Sequence, residues 1–362
     1  MPLNRVKSPN KSAIIIGVTG QDGSYLSEYL LDQGYYVMGV KRRSSTDTLG
    51  RLMNVISNPH FKLVEGDITD YASMSGIFTQ ATELYGGAPH EVYNLAAQSH
   101  VGTSFNQPLA TWDSTAQGVL NVLEVMRQGH YLGTTRFYQA STSEMFGDNF
   151  ELQEDGSMIQ TEETALSPCS PYGVAKTAAH QAVQVYREAY GLFGCCGILF
   201  NHESPRRGEN FVTRKISLYV ANLAAELQWR RSVTHDLPPP AKLGLGNLAA
   251  ARDWGHAKDY VRAMHMMLQH DKADDYIVAT GEAHTVKEFC AQAFGGIGQN
   301  YEDWVYADPQ FMRPYEVPYL QGRPDKIKTI LGWEPQVTFL ELVDDMVTAD
   351  IDAVRGSCCC QE

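Results

Sequence analysis

The chain of 362 residues contains no apolar run near the ~18 residues needed to cross a bilayer, and its opening stretch, MPLNRVKSPNK, lacks the hydrophobic centre of a secretion signal. The expectation is a protein neither inserted in a membrane nor exported. Positive charge is also scarce, with 29 Lys and Arg against 42 Asp and Glu and a formal net charge of -13. Such a field repels nucleic acid and anionic lipid, so a phosphate-bearing ligand must be held by locally placed cations. The seven cysteines are odd in number and scattered, at Cys169, Cys195, Cys196, Cys290 and the run Cys358 to Cys360. Neither a disulfide framework nor paired metal-ligand spacing follows from them, which argues for a reducing, cytoplasmic setting, no bound metal and a frayed C-terminus. Hydrophobic residues, at 43% of the chain, are plentiful enough for the core of an enzyme-sized globular protein.

Short β-rich runs alternate with amphipathic stretches through the first half. The runs are Ala13 to Val18, Tyr36 to Lys41, Phe61 to Glu65, Glu91 to Leu95 and Arg136 to Ser141, with helical patterns such as Leu26 to Gln33 and Ala72 to Tyr85 between them. That order predicts a doubly wound parallel sheet of the Rossmann type, an α/β fold whose ligands sit at the carboxyl ends of the strands. Beyond residue 200 the rhythm breaks at Pro205, at Pro238 to Pro240 and at Gly244 and Gly246. A smaller, discontinuous α/β substrate-binding domain is expected there. The boundaries read as 1–202 for the dinucleotide-binding domain, with a return segment about 252–282 in which Val261 to Gln269 is a helix and Tyr276 to Ala279 a strand. Residues 203–251 and 283–350 form the second domain, and 351–362 a flexible tail.

Gly17-Val18-Thr19-Gly20-Gln21-Asp22-Gly23 follows the first strand and opens a helical pattern. Glycine lets backbone N–H groups approach a pyrophosphate, which the helix N-terminus then faces with its partial positive charge. A glycine triple alone is weak, because tight turns also select glycine; its place between strand and helix gives it meaning. After the second strand comes Lys41-Arg42-Arg43-Ser44-Ser45, with no acid to accept from a ribose 2′-hydroxyl. Arg42 and Arg43 suit a 2′-phosphate, so NADP is the expected cofactor. The third strand ends at Gly66-Asp67-Ile68, where Asp67 can accept from an adenine amino group, cap the helix from Tyr71, or do both.

Tyr172 and Lys176 lie four apart in Ser170-Pro171-Tyr172-Gly173-Val174-Ala175-Lys176, hence on one face of a helix. A nearby ammonium favours tyrosinate, so Tyr172 can serve as general base on a sugar hydroxyl. The fifth strand runs into Thr142-Ser143-Glu144. These residues read either as a capping segment or as active-site groups, and the company of Tyr172, Lys176 and the glycine loop favours the second.

With these motifs go Asn94-Leu95-Ala96-Ala97-Gln98-Ser99-His100-Val101, Asn201-His202-Glu203-Ser204-Pro205-Arg206-Arg207-Gly208, Phe211-Val212-Thr213-Arg214-Lys215, Arg252-Asp253-Trp254-Gly255-His256-Ala257-Lys258-Asp259-Tyr260 and Arg313-Pro314-Tyr315-Glu316-Val317. Together, over residues about 13 to 340, the chain resembles the GDP-mannose 4,6-dehydratases of the extended short-chain dehydrogenase/reductase superfamily. The resemblance implies an NADP-dependent hydro-lyase that oxidises C4 of GDP-mannose, eliminates water across C5 and C6 and returns hydride to C6. Glu144 would be the base at C5, Thr142 would hydrogen-bond the C4 oxygen, and Tyr172 and Lys176 would complete the catalytic set. It further implies that Gly17, Thr19, Gly20, Gln21, Asp22, Gly23, Arg42, Arg43, Asp67, Ile68, Leu95, Ala96, Ala97, Ser99, Tyr172, Lys176, His202 and Arg207 hold NADP. Ser99, Ser143, Asn201, Lys215, Arg252, Arg313 and Glu316 would face the sugar nucleotide, with Arg214 an additional cation, and a homodimer or homotetramer is expected. Ala110, Ala249 and Ala251, and an insertion at 149–160, depart from the family's pattern and bear on fine contacts. Another NDP-sugar dehydratase, an epimerase/reductase and a non-catalytic NADP-binding module remain alternatives. A 4-epimerase has no need of Glu144, and a non-catalytic module has no need of Tyr172 and Lys176 together.

Overall fold

The computed structural model describes residues 11–46, 48–232 and 238–358. In the first half β1 (Ser12–Ile16), α1 (Gln21–Asp32), β2 (Tyr36–Lys41), β3 (Phe61–Glu65), α2 (Tyr71–Tyr85) and β4 (Glu91–Asn94) follow one another. Then come α3 (Val101–Asn106), α4 (Pro108–Trp112), α5 (Gly118–Gln128) and β5 (Arg136–Thr142). The 149–160 segment is a hairpin of β6 (Glu151–Leu152) and β7 (Met158–Ile159), after which α6 (Pro171–Tyr190) leads to β8 (Gly194–Leu199) and β9 (Asn201–Glu203). The remainder is α7 (Val212–Arg230), β10 (Leu243–Leu245), β11 (Ala251–His256), α8 (Ala257–Gln269), β12 (Asp275–Val278), β13 (Ala283–Thr285), α9 (Val286–Gly295), β14 (Val305–Ala307), β15 (Tyr319–Leu320), α10 (Asp325–Leu331) and α11 (Phe339–Cys358).

Seven strands form one parallel sheet in the order β12-β8-β5-β4-β1-β2-β3. β1 is buried along its whole length because helices cover both faces. Its Ala13 and Ile15 pack with Leu26, Leu30, Met264 and Leu268 of α1 and α8, while Ile14 and Ile16 pack with Ile77, Phe78, Val122 and Val183 of α2, α5 and α6. Strand order reverses between β1 and β4, so a crevice opens at their carboxyl ends. The expected Rossmann-type sheet is therefore present, with β12 paired to β8 at its edge and α8 packed against α1.

Two boundaries differ from expectation. β11 lies outside the large sheet: it pairs with β9, β13 and β15, because β12 already occupies the edge of β8 and the backbone groups of 251–256 find their partners elsewhere. The return segment thus begins at Ala257, and 252–256 belongs to the smaller sheet. The presumed flexible tail is helical as far as Cys358, since Leu342, Val343, Met346 and Val347 of α11 are buried with Ile216, Val220 and Phe289 of α7 and α9. Cys359 and Cys360 lie outside the described residues. Among the described residues no helix is long and apolar enough to cross a membrane.

Candidate active site

The carboxyl ends of the large sheet and the smaller domain enclose one cleft of about 1250 Å³. At its floor the glycine loop is shaped by close approach. Gly17 has φ +89°, and a Cβ there would stand 2.9 Å from the Ala96 nitrogen of the neighbouring strand end. A Cβ at Gly23 would meet the Gly17 oxygen at 2.5 Å. α1 starts at Gln21 with Gly20 before it and no side-chain cap, so its first turn presents N–H groups to the cleft. Thr19, Gly20, Gln21, Asp22, Asp67, Ile68, Leu95, Ala96, Ala97 and Ser99 line the same space.

Of the two arginines after β2, both exposed, Arg42 lines the cleft and Arg43 does not. Lys41 is paired with Glu65 at 2.9 Å. Asp67 is not the cap of α2. Asp70 accepts from the Ala72 N–H, while Asp67 accepts from the backbone and hydroxyl of Thr69 and remains on the cleft wall. A cradle that admits no side chain, an uncapped helix start and a cation with no competing acid together fit a 2′-phosphorylated dinucleotide.

His202 braces the loop. Its Nε2 lies 2.9 Å from Asp22 Oδ2 and its Nδ1 2.8 Å from the Phe200 oxygen, with the ring stacked on Tyr260. Both partners are acceptors, so the imidazolium form donates to each. Burial opposes that charge, but Asp22 outweighs it and raises the His202 pKa; burial likewise opposes the Asp22 charge, yet His202 holds its carboxyl below the usual value. Arg207 also lines the cleft, with its guanidinium 3.7 Å from the Phe211 ring centre and Nε 3.0 Å from Glu203.

The catalytic candidates converge where β5 meets α6. Ser170 caps α6 by accepting from the Gly173 N–H, and Pro171 starts the helix, which sets Tyr172 and Lys176 one turn apart at the cleft. Lys176 Nζ donates to the Ala140 oxygen at 2.6 Å and lies 5.8 Å from the Tyr172 ring centre. Burial pushes its pKa down to about 8. The Tyr172 phenol, also buried, is raised above its ordinary value, with the Thr142 hydrogen bond pulling the other way. The expected lowering by Lys176 is not seen: burial dominates, and the Lys176 ammonium faces the Ala140 carbonyl instead. Thr142 accepts from the Glu144 N–H, so Thr142 to Glu144 do form a capped turn, and the same turn holds Ser143 and the Glu144 carboxylate in the cleft.

On the opposite wall stand Asn201, Lys215, Arg252, Arg313 and Glu316. Arg252, 6% exposed, donates to Glu316 at 2.9 Å; burial lowers its pKa and Glu144 opposes that shift. Arg313 lies 3.7 Å from both Glu144 and Glu316. Arg214, counted among the cleft cations by sequence, instead pairs with Asp350 of α11 and lines a separate pocket. Ala110 borders the cleft, Ala251 is buried in β11 and Ala249 is exposed. Asn247 and Gln310 also line this wall, yet nothing in their local sequence marked them.

The family model described as GDP-mannose 4,6 dehydratase matches residues 14–346. GDP-mannose 4,6 dehydratase 2 of Arabidopsis thaliana is 47% identical over 359 residues, covering 97% of this chain and 89% of that protein. The human GDP-mannose 4,6 dehydratase is 43% identical over 372 residues, 96% of this chain and 93% of that one. Among solved structures, a dTDP-glucose 4,6-dehydratase from Streptomyces venezuelae with NAD and TYD bound superposes with a TM-score of 0.77 at 23% identity. It covers 95% of this chain and 98% of that chain, a likeness of fold.

Proposed function

This chain belongs to the GDP-mannose 4,6-dehydratase family, and on that premise we propose that its cleft converts GDP-mannose to GDP-4-keto-6-deoxymannose with NADP as cofactor. The observation that carries the reading is Glu144 on the turn after β5, in one cleft with Thr142, Tyr172, Lys176 and the glycine cradle. Oxidation or epimerisation at C4 needs no such carboxylate; elimination across C5 and C6 does.

Gly17, Gly20 and Gly23 with the α1 N-terminus hold the pyrophosphate, Arg42 meets the 2′-phosphate, and Asp67 faces the adenine. The cofactor, when bound, supplies the hydride acceptor at C4 and the hydride donor at C6, so it is regenerated in each turnover. Burial keeps the Tyr172 phenol protonated, so it would need the added positive charge of the oxidised cofactor to become the tyrosinate that takes the C4 hydroxyl proton, while Thr142 hydrogen-bonds that oxygen. The C4 ketone acidifies the C5 proton, and Glu144 removes it. The C6 hydroxyl then departs with the Glu144 proton as water, leaving a C5–C6 double bond for reduction. Arg252, Arg313 and Lys215 neutralise the diphosphate, and Asn201 and Glu316 meet the nucleoside side.

A cytoplasmic homo-oligomer, dimer or tetramer, accompanies this reading. Leu120 of α5 and Val174, Val185 and Tyr190 of α6 are exposed on helices beside the active site and would be covered in it.

Incubation with GDP-, dTDP- and UDP-hexoses, with product analysis and cofactor accounting, tests the proposal. GDP-mannose should give the 4-keto-6-deoxy product with no net consumption of NADP. Stoichiometric consumption of NADPH with every sugar, and no dehydrated product, would sink it.

A further inference from the structure

Behind Tyr172 and Lys176 the same face of α6 carries a third polar residue, His180, eight positions after Tyr172 and 4% exposed. Its Nδ1 lies 2.9 Å from the Ser141 hydroxyl, and its Nε2 lies 3.1 Å from Gln184 Nε2. The Gln184 amide nitrogen is fixed as the inward group because it also faces Asp275 Oδ2 at 2.8 Å, and a carboxylate needs a donor. Gln184 therefore donates to His180 Nε2, which leaves the proton on Nδ1, aimed at Ser141. Asp275 is held in turn by Arg187 at 2.7 Å and by the Cys196 N–H at 3.2 Å. A buried relay of side chains thus runs from Arg187 to the catalytic end of β5.

α6 holds two consecutive residues of that strand end, Ala140 through the Lys176 ammonium on its carbonyl and Ser141 through His180 on its side chain, which points to the other face of the sheet from Thr142. The next residue, Thr142, lines the cleft with Tyr172 of the same helix. Tyr172 and Lys176 are already assigned to the chemistry; His180 does not line the cleft.

We propose that His180 is a positioning residue: by tying Ser141 to α6 it sets the register of β5 against the helix, and so the approach of Thr142 to Tyr172 at the C4 hydroxyl. The role rests on the dehydratase reading above and deepens it. Buried hydrogen bonds behind a reacting group fix its placement, and small displacements there act on the reaction step more than on binding.

The test compares wild type with Ser141→Ala, His180→Leu, the double variant and His180→Asn. For each, kcat and KM for GDP-mannose, NADP affinity and melting temperature are measured. Each of Ser141→Ala and His180→Leu should lower kcat by about tenfold, because a loosened strand end misplaces Thr142. KM and NADP affinity should stay within about twofold, as they depend on groups elsewhere in the cleft. The double variant should be no worse than the poorer single one, since both remove one contact. Asn keeps a donor at the position of Nδ1, so His180→Asn should retain most of kcat. Wild-type kcat in both single variants, multiplicative losses in the double, or a His180→Asn no better than His180→Leu would overturn the assignment. If His180→Leu does not fold, Ser141→Ala, which removes one hydroxyl, still decides it. Failure of the wild type to dehydrate GDP-mannose would instead refute the functional reading, before any variant is examined.

Discussion

Replacing Glu144 by Gln keeps shape and removes a base, and the surroundings of the side chain say how the two consequences divide. Its nearest cation is Arg313 at 3.7 Å, a pair whose side chains are 31% and 12% exposed. Pairs so open to solvent contribute about 0–1 kcal/mol. Arg252 and Arg313 each keep Glu316 as a partner, at 2.9 and 3.7 Å, so the change leaves neither without a counter-charge. The N–H bond of residue 144 to Thr142 is untouched. A loss near 1 kcal/mol moves the melting temperature of a chain this size by about 1–2 °C. The missing base, by contrast, should lower turnover by about 10²–10⁴-fold. The assay runs the reaction in deuterated water and reads deuterium at C5 by mass spectrometry, with bound-cofactor absorbance following oxidation at C4. Glu144→Gln should bind NADP normally, oxidise C4 and fail to exchange C5. Wild-type exchange would remove Glu144 from the role of base, and a collapse of melting temperature with loss of NADP binding would return it to a capping role.

Two further perturbations follow from buried groups. Asp253 accepts from the Thr280 N–H and hydroxyl on one oxygen and from the Gly281 and Gly322 N–H groups on the other, so Asp253→Asn sets an amide donor against donors whichever way it turns. One unsatisfied N–H group with the amide turned to Thr280, whose hydroxyl can accept, or two with it turned to Gly281 and Gly322, at about 1–3 kcal/mol each, should lower the thermal midpoint by a few degrees, and an unchanged midpoint would contradict the account. Lys176, pushed down to about 8 by burial, loses its ammonium above that pH, so kcat should show an alkaline limb near 8. Its effect on stability has the opposite sign: between about 8 and the ordinary lysine value near 10.4 the unfolded chain binds the extra proton, so this group's contribution grows as pH rises. A flat kcat profile to pH 10 would show that the Lys176 charge does not serve catalysis.

The parts of the site written in contiguous residues were legible in the sequence, for physical reasons. The glycine loop is legible because Gly17 and Gly23 answer to backbone contacts within one strand-turn-helix, and the Tyr172–Lys176 pair because a helix fixes what four residues mean. What failed depended on partners distant in the chain. Arg214 is as basic as Arg252, yet α11 carries Asp350 to it and withdraws it from the cleft. β11 reads like any sheet strand, and which sheet takes it depends on β12 having filled the edge of β8. His180 carries no motif; Gln184 is one helical turn away, but only the fold brings Ser141 to its other nitrogen.

The charge balance of the molecule follows the same logic one level up. A chain with a net charge of -13 must bind a dinucleotide and a sugar nucleotide, both polyanions. In the cleft Arg252 is paired with Glu316, and Arg313 lies between Glu144 and Glu316. Bare, a cluster of Arg252, Arg313 and Lys215 would repel itself; with the two glutamates interleaved it stays assembled. On the function proposed above, a diphosphate entering between them would compete with the carboxylates for the same guanidinium forks and would draw Arg313 from Glu144 toward phosphate, where Glu144 is to act as a base. One set of ion pairs would thereby serve both to hold the wall together and to couple substrate binding to the chemistry.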